Sequence, residues 1–182
     1  MNQRVFAIAA LALAAFTGAA HASVNVSAGL SPDSYTQSAT WLGQDANAFF
    51  NGGRWVADNS GDQWVQVDLH NSWQVNSVSY FTHQLPDGHV SQSVYVSDSF
   101  IGDNWHNLTP VATFDGVTVN MTPETLNFAA VSGRYVEIVA NGGQSWTALA
   151  NGSVAAVPEP STYGMLLGGL GLLGMVARRR QS

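Results

Sequence analysis

Short apolar runs with a two-residue period, broken by turn formers at roughly ten-residue spacing, restrict this chain to an antiparallel β architecture. In residues 64–69, Val65, Val67 and Leu69 share one face, opposite Trp64, Gln66 and Asp68. Residues 75–82, 90–97, 111–114, 117–121, 126–128, 134–140 and 145–149 have the same character. Between the runs fall Asn51-Gly52-Gly53, Pro86-Asp87-Gly88, Gly102-Asp103-Asn104, Asp115-Gly116, Ser132-Gly133 and Asn141-Gly142-Gly143, residue types that supply positive φ or local side-chain hydrogen bonds. No helical period is sustained here. The pattern predicts an all-β antiparallel sandwich, with Asp115-Gly116 as its clearest hairpin turn.

Both ends of the chain break this pattern. Arg4 precedes an apolar run over residues 5–16 and the small-x-small site Ala20-His21-Ala22, the layout of a cleavable secretory signal peptide. At the other end, Pro158-Glu159-Pro160 leads into a greasy stretch, residues 163–177, and then Arg178, Arg179 and Arg180. The three guanidinium groups resist crossing a bilayer, so the tail should stop with them in the cytoplasm. As a helix, residues 163–177 would reach only about 22 Å, short of the roughly 30 Å hydrocarbon core. Five glycines loosen it further. Such a span suits a transient processing substrate better than a permanent anchor. The expected division is therefore a signal peptide over 1–22, a domain over 23–156 and a tail over 157–182. A signal helix and a hydrophobic transmembrane helix would flank the sandwich.

The tail resembles the PEP-CTERM sorting signal, on the strength of Pro158-Glu159-Pro160, the Gly-interrupted apolar segment and the terminal arginines. That resemblance implies an exosortase as processing partner and transient insertion in the inner membrane. It also implies residence at the cell surface or outside the cell once the tail is removed.

Between the ends, Arg54 and Arg134 are the only cations against eleven carboxylates. That balance repels phosphate backbones and excludes nucleic acid as a partner, while leaving sugars and divalent cations open. The absence of cysteine removes disulfides, thiolate metal sites and Cys nucleophiles. All six tryptophans lie in this middle region, more than a core of its size demands.

An ordered series of segments identifies the middle. It runs through Phe50-Asn51-Gly52-Gly53-Arg54-Trp55, then residues 63–69, Val75 with Val78, residues 94–98 with Trp105, and residues 133–138. The series looks like the discoidin, or coagulation-factor type C, domain. The resemblance implies the galactose-binding-like jelly-roll fold and a non-catalytic module that binds carbohydrate in bacterial relatives, phospholipid or protein in animal ones. Trp55, Trp64, Trp105 and Trp146 match its framework and are expected in the core. The family's Asp-Gly before the first tryptophan is Asn51-Gly52 here, and Ala150-Asn151 stands where another acid is expected. These acids often hold a structural calcium in relatives, so calcium near Asn51 should bind weakly here, and no other cofactor is implied.

The resemblance sets two loops at the ligand-binding end: one with Trp41 and Asp45, the other running from His83 through Asp87 to His89. Histidine and aspartate there could hydrogen-bond sugar hydroxyls beside an aromatic ring, or stand solvated. A metal would need a third ligand that is not evident. Arg54 could grip an acidic sugar or merely balance Asp58 or Asp62. Asp68 and Arg134 read as a framework ion pair. The residues point first to an exported, non-catalytic module for matrix or cell-surface carbohydrate. The alternative is a structural or interaction protein of an exopolysaccharide matrix without a sugar site. An exposed aromatic beside converging polar groups would favour the first; carboxylates facing each other across a groove would instead indicate a hydrolase.

Overall fold

The computed structural model describes residues 23–83, 87–143, 145–158 and 169–170. Its strands are β1 (Val24–Asn25), β2 (Tyr35–Gln37), β3 (Arg54–Val56), β4 (Asp62–Thr82), β5 (Gly88–Ser97), β6 (Ala112–Thr118), β7 (Thr122–Asn141) and β8 (Ala148–Val157). A short helix α1 (Ala46–Phe50) and 3-10 turns at Pro32–Ser34 and Gly102–Asn107 join them.

Two long strands set the architecture. β4 and β7 pair antiparallel along most of their length, with a register shift between Asp68 and Trp73, where His70 takes a φ of 62°. Before the shift, β4 lies between β2 and β7, and β7 is flanked in turn by β5 and then β6. After it, β4 lies between β7 and β8, and β8 carries β1 and β3. Each long strand thus serves both layers of a jelly-roll β-sandwich, bending between them at the irregularity.

The alternation read from the sequence builds the core. Val65, Val67, Leu69, Val136 and Ile138 meet Val75, Val78, Tyr80, Leu149 and Val154, and α1 adds Phe49 and Phe50. Trp55 is wholly buried among them and its indole N–H donates to the Ala39 carbonyl at 2.8 Å. Fully burying side chains of this size contributes on the order of 2 kcal/mol each, which replaces what disulfides provide elsewhere.

The opposite face of β4 is buried too, because residues 100–107 fold across it. Trp64 donates its indole N–H to Asp103 Oδ1 at 2.8 Å, and the Ile101 amide donates to Gln66 Oε1 at 2.9 Å. Beneath this cover lies Glu137 of β7, 0 % exposed, with no hydrogen-bond partner for either carboxyl oxygen. The neighbouring Gly102 N–H is turned to Gln66 Oε1 at 3.4 Å. Burial pushes the Glu137 carboxyl up to about 8, and the Asp103 charge adds to the shift.

Two expected turns are strand. Asp115 and Gly116 sit inside β6, opposite Ser91 and Val90 of β5. The ladder of a seven-residue strand outweighs the local Asp-Gly preference, and the chain reverses instead at residues 119–122, where Met121 takes a φ of 61° and the Thr122 amide donates to Val119 O at 3.0 Å. Ser132 and Gly133 likewise lie within β7. Gly133 is needed there because a Cβ would collide with Val96. The signal helix falls outside the described residues. So does the hydrophobic tail helix, apart from Gly169 and Leu170, which are helical. Among the described residues, no helix is long and apolar enough to cross a membrane.

Candidate functional site

A cleft of about 200 Å³ opens at one end of the sandwich, lined by Trp41, Gln44, Arg54, Val56, His83, Ser145, Trp146 and Ala148. Strand geometry presents the first pair. Trp55 points into the core, so the two-residue period turns Arg54 and Val56 to the other face of β3, which pairs with β8 at Ala150 and Ala148. His83, just past β4, is tied in by its own amide, which donates to Ala148 O at 3.0 Å.

Trp41 stands on a tight turn. Leu42 and Gly43 take φ of 47° and 73°, and the Gln44 amide donates back to Trp41 O at 3.0 Å. Two positive φ values in succession suit a type I′ turn, but leucine is an uncomfortable residue for the first. The turn is docked by Trp41 N–H to Val56 O at 2.9 Å and Val56 N–H to Gln44 O at 3.0 Å. The Gln44 side-chain oxygen is buried without a partner.

Trp146 projects from the segment between β7 and β8. Thr147 beside it is buried and pinned: its hydroxyl accepts from Gly142 N–H and donates to Gly61 O, both at 3.1 Å. With Thr147 facing in, Trp146 faces out and is 47 % exposed. The two indoles meet with centroids 5.6 Å apart and planes at 60°. Trp146 is therefore not the core residue that its framework position suggested. Trp55 and Trp64 are buried, and Trp105 is partly buried against Tyr95, 6.0 Å between centroids.

The cleft carries one charge. Arg54 Nη1 lies 3.4 Å from His83 Nε2. A guanidinium can only donate, so Nε2 accepts and the imidazole proton sits on Nδ1. Burial, and then the Arg54 charge, hold the His83 pKa below its ordinary value, so the ring is neutral at pH 7. No carboxylate is among the lining residues. Arg54 pairs with neither Asp58 nor Asp62; Asp62 accepts instead from Asn141 Nδ2 at 2.9 Å.

The remaining sequence candidates do not line this cleft. Asp45 caps α1, accepting from Ala48 N–H at 2.8 Å. Asp87 accepts from Asn120 N–H at 2.9 Å, tying its loop to the β6–β7 turn. His89 Nε2 lies 2.9 Å from Asp115 Oδ1, an exposed cross-strand pair. Arg134 donates from Nε and Nη2 to the two oxygens of Asp68, both at 2.7 Å, and lies over the Tyr135 ring at 5.1 Å. This pair fastens the bend between layers.

The calcium position does not fit the ion. Asn51 Oδ1 accepts from Gly29 N–H at 2.8 Å, and Asn51 Nδ2 donates to Asn47 O and Oδ1 at 2.9 and 3.0 Å. The amide oxygen a cation would need is thus already engaged, and the side chain ties Gly29 to the α1 segment. Among the described residues, no three His, Cys, Asp or Glu converge in a metal-binding group.

Fold and cleft together define the class: a jelly-roll β-sandwich of the discoidin and galactose-binding-like kind, with an aromatic and cationic cleft at its loop end. The F5/8 type C domain model matches residues 31–152, and the chain belongs to that family. A PEP-CTERM protein-sorting motif matches residues 156–181. No curated protein matches the sequence.

Solved structures share the fold. One is a chitosan-binding module derived from a chitosanase/glucanase of Paenibacillus sp. IK-5, 21% identical, with a TM-score of 0.55 over 74% of this chain and 100% of that one. A second is the CBM32 of AlyQ in complex with 4,5-unsaturated mannuronic acid, 22% identical, TM-score 0.55, over 74% and 98%. A third is the family 32 CBM of C. perfringens NanJ in complex with galactose, 14% identical, TM-score 0.53, over 66% and 91%.

Proposed function

We propose that this protein is an exported, non-catalytic binding module that holds a sugar ring in the cleft of Trp41, Arg54, His83 and Trp146. The observation that carries this reading is the half-exposed Trp146 standing beside Trp41, with a guanidinium and an imidazole lining the same cleft. An indole covers the apolar face of a pyranose. The polar groups around it exchange hydrogen bonds with the hydroxyl rim, so both surfaces of the sugar are satisfied at once.

Of the residues named from sequence, Trp41, Arg54 and His83 belong to this reading. Asp45, Asp87 and His89 leave it, because each already has a structural partner outside the cleft. Residues 1–22 act as the signal peptide and residues 157–182 as the sorting tail, which an exosortase removes at the membrane before the domain reaches the cell surface or matrix. The sorting motif and the binding-module fold support that route.

A glycan array probed with the full chain tests the reading. A retained glycan whose affinity falls about tenfold or more, roughly 1.4 kcal/mol, in Trp146→Ala supports it, provided the melting temperature holds. Retention unaffected by Trp146→Ala and Trp41→Ala, or no glycan retained, overturns it.

A further inference from the structure

Resting on that reading, we propose that the cleft selects a sugar bearing an acidic group, a carboxylate or a sulfate ester, seated on Arg54. The argument begins with scarcity. Arg54 and Arg134 are the only cations between the two terminal segments, against eleven acids. Arg134 is committed to Asp68 through two 2.7 Å hydrogen bonds. Arg54, surrounded by a chain of that composition, has no carboxylate within ion-pair distance among the described residues. Its side-chain neighbour is the neutral acceptor His83.

Arg54 is exposed at the mouth of the cleft, where a ligand can reach its guanidinium. The residue is held on a three-residue strand whose register turns it into a cleft walled by two indoles and lined by no acid. A sugar ring seated against the indoles would displace water beside the guanidinium and so strengthen a charge-assisted hydrogen bond made there. The guanidinium fork matches a pair of anionic oxygens, and both a uronate carboxylate and a sulfate ester offer such a pair. A neutral sugar would fill the same space but leave the only charge of the cleft without a counter-ion.

The acidic surface elsewhere also shapes the ligand. It repels a polyanion as a whole, so attraction must act over the few ångströms around Arg54 rather than along a basic track. The cleft volume of about 200 Å³ fits one sugar residue or a chain end, not a run of charged residues.

Four probes separate the outcomes by calorimetry on the full chain in detergent: galacturonic acid, its methyl ester, galactose and galactose 6-sulfate. The methyl ester keeps the shape of the uronate and removes its charge. The expected result is that galacturonic acid or the sulfate binds about tenfold tighter than the methyl ester and galactose, and that Arg54→Gln abolishes the preference with no change in melting temperature. Arg54→Lys should keep part of it, as a point charge without the fork. Tight binding of the uronate alone assigns a carboxylate ligand; tight binding of the sulfate alone assigns a sulfate ester. Equal binding of all four, lost together in Trp146→Ala, would leave the sugar cleft standing and overturn the acidic preference. Binding of none, or binding indifferent to Trp146→Ala, overturns both.

Discussion

Replacing Glu137 by glutamine should flatten the pH dependence of stability between pH 5 and 8. Glu137 is buried beneath residues 100–107 with neither oxygen hydrogen-bonded, and its folded-state pKa is about 8 against an ordinary value of 4.5. The folded chain therefore holds this proton over a range in which the unfolded chain has released it. For a carboxyl raised in this direction, the stabilisation is fully present below the unfolded pKa and is lost as pH rises through the folded one. Each pH unit inside the window costs up to about 1.4 kcal/mol, so the wild type should lose roughly 2–3 kcal/mol through this group between pH 5 and 7. In Glu137→Gln the new side chain has a similar shape and no proton to lose. Other titrating groups move both proteins equally, so the difference curve isolates the site. Urea titrations followed by tryptophan fluorescence at pH 5, 6, 7 and 8 read it directly, since Trp64 packs against Ile101 and Trp105 lies in the covering turn. Curves that stay parallel across the window would refute the claim that an uncompensated carboxyl lies under that cover.

Three further outcomes follow from the same structure. Asp68→Asn should lower the melting temperature at pH 7, with the difference shrinking in acid, because the Arg134 hydrogen bonds hold Asp68 below the usual carboxylate range and that stabilisation is lost as pH falls through the folded pKa. Gly152→Ala should destabilise by about 2 kcal/mol in urea titrations, since the new methyl would meet the buried Phe49 ring. Deleting residues 157–182 should abolish the membrane-associated processing form seen on immunoblots; an unchanged mass and location would refute the sorting role.

The strands were legible because alternation is a local property. Val65, Val67 and Leu69 declare their face within six residues of sequence. What alternation could not reveal is that β4 and β7 each pass through both layers, since the bend at residues 68–73 is set by pairing with a distant strand. Asp115-Gly116 misled for the same reason: its turn preference is local, and the ladder with β5 is not. The buried outer face of β4 was equally hidden, because only the tertiary path of residues 100–107 brings Ile101 and Asp103 over Gln66 and Trp64. Of the residues that line the cleft, Trp41, Arg54 and His83 could be named from loop position and residue type. Asp45, Asp87 and His89 have the same chemistry, and only coordinates show their oxygens and nitrogens already engaged as a cap, a loop tie and a cross-strand pair. Trp146 was missed because its family position suggested framework. The available signal was the turn-forming Asn141-Gly142-Gly143 shortly before it; the inward Thr147 that leaves the indole facing out is seen only in the fold.

The central claim is that the ligand sits in the cleft against Trp41 and Trp146, and the indole N–H resonances of the six tryptophans test it most directly. During titration of the isotope-labelled protein with the glycan retained on the array, the Trp41 and Trp146 signals should shift together and saturate at one affinity, while those of Trp55, Trp64 and Trp105 stay in place. Shifts confined to Trp64 or Trp105, on the face covered by residues 100–107, would put the ligand elsewhere and contradict the account.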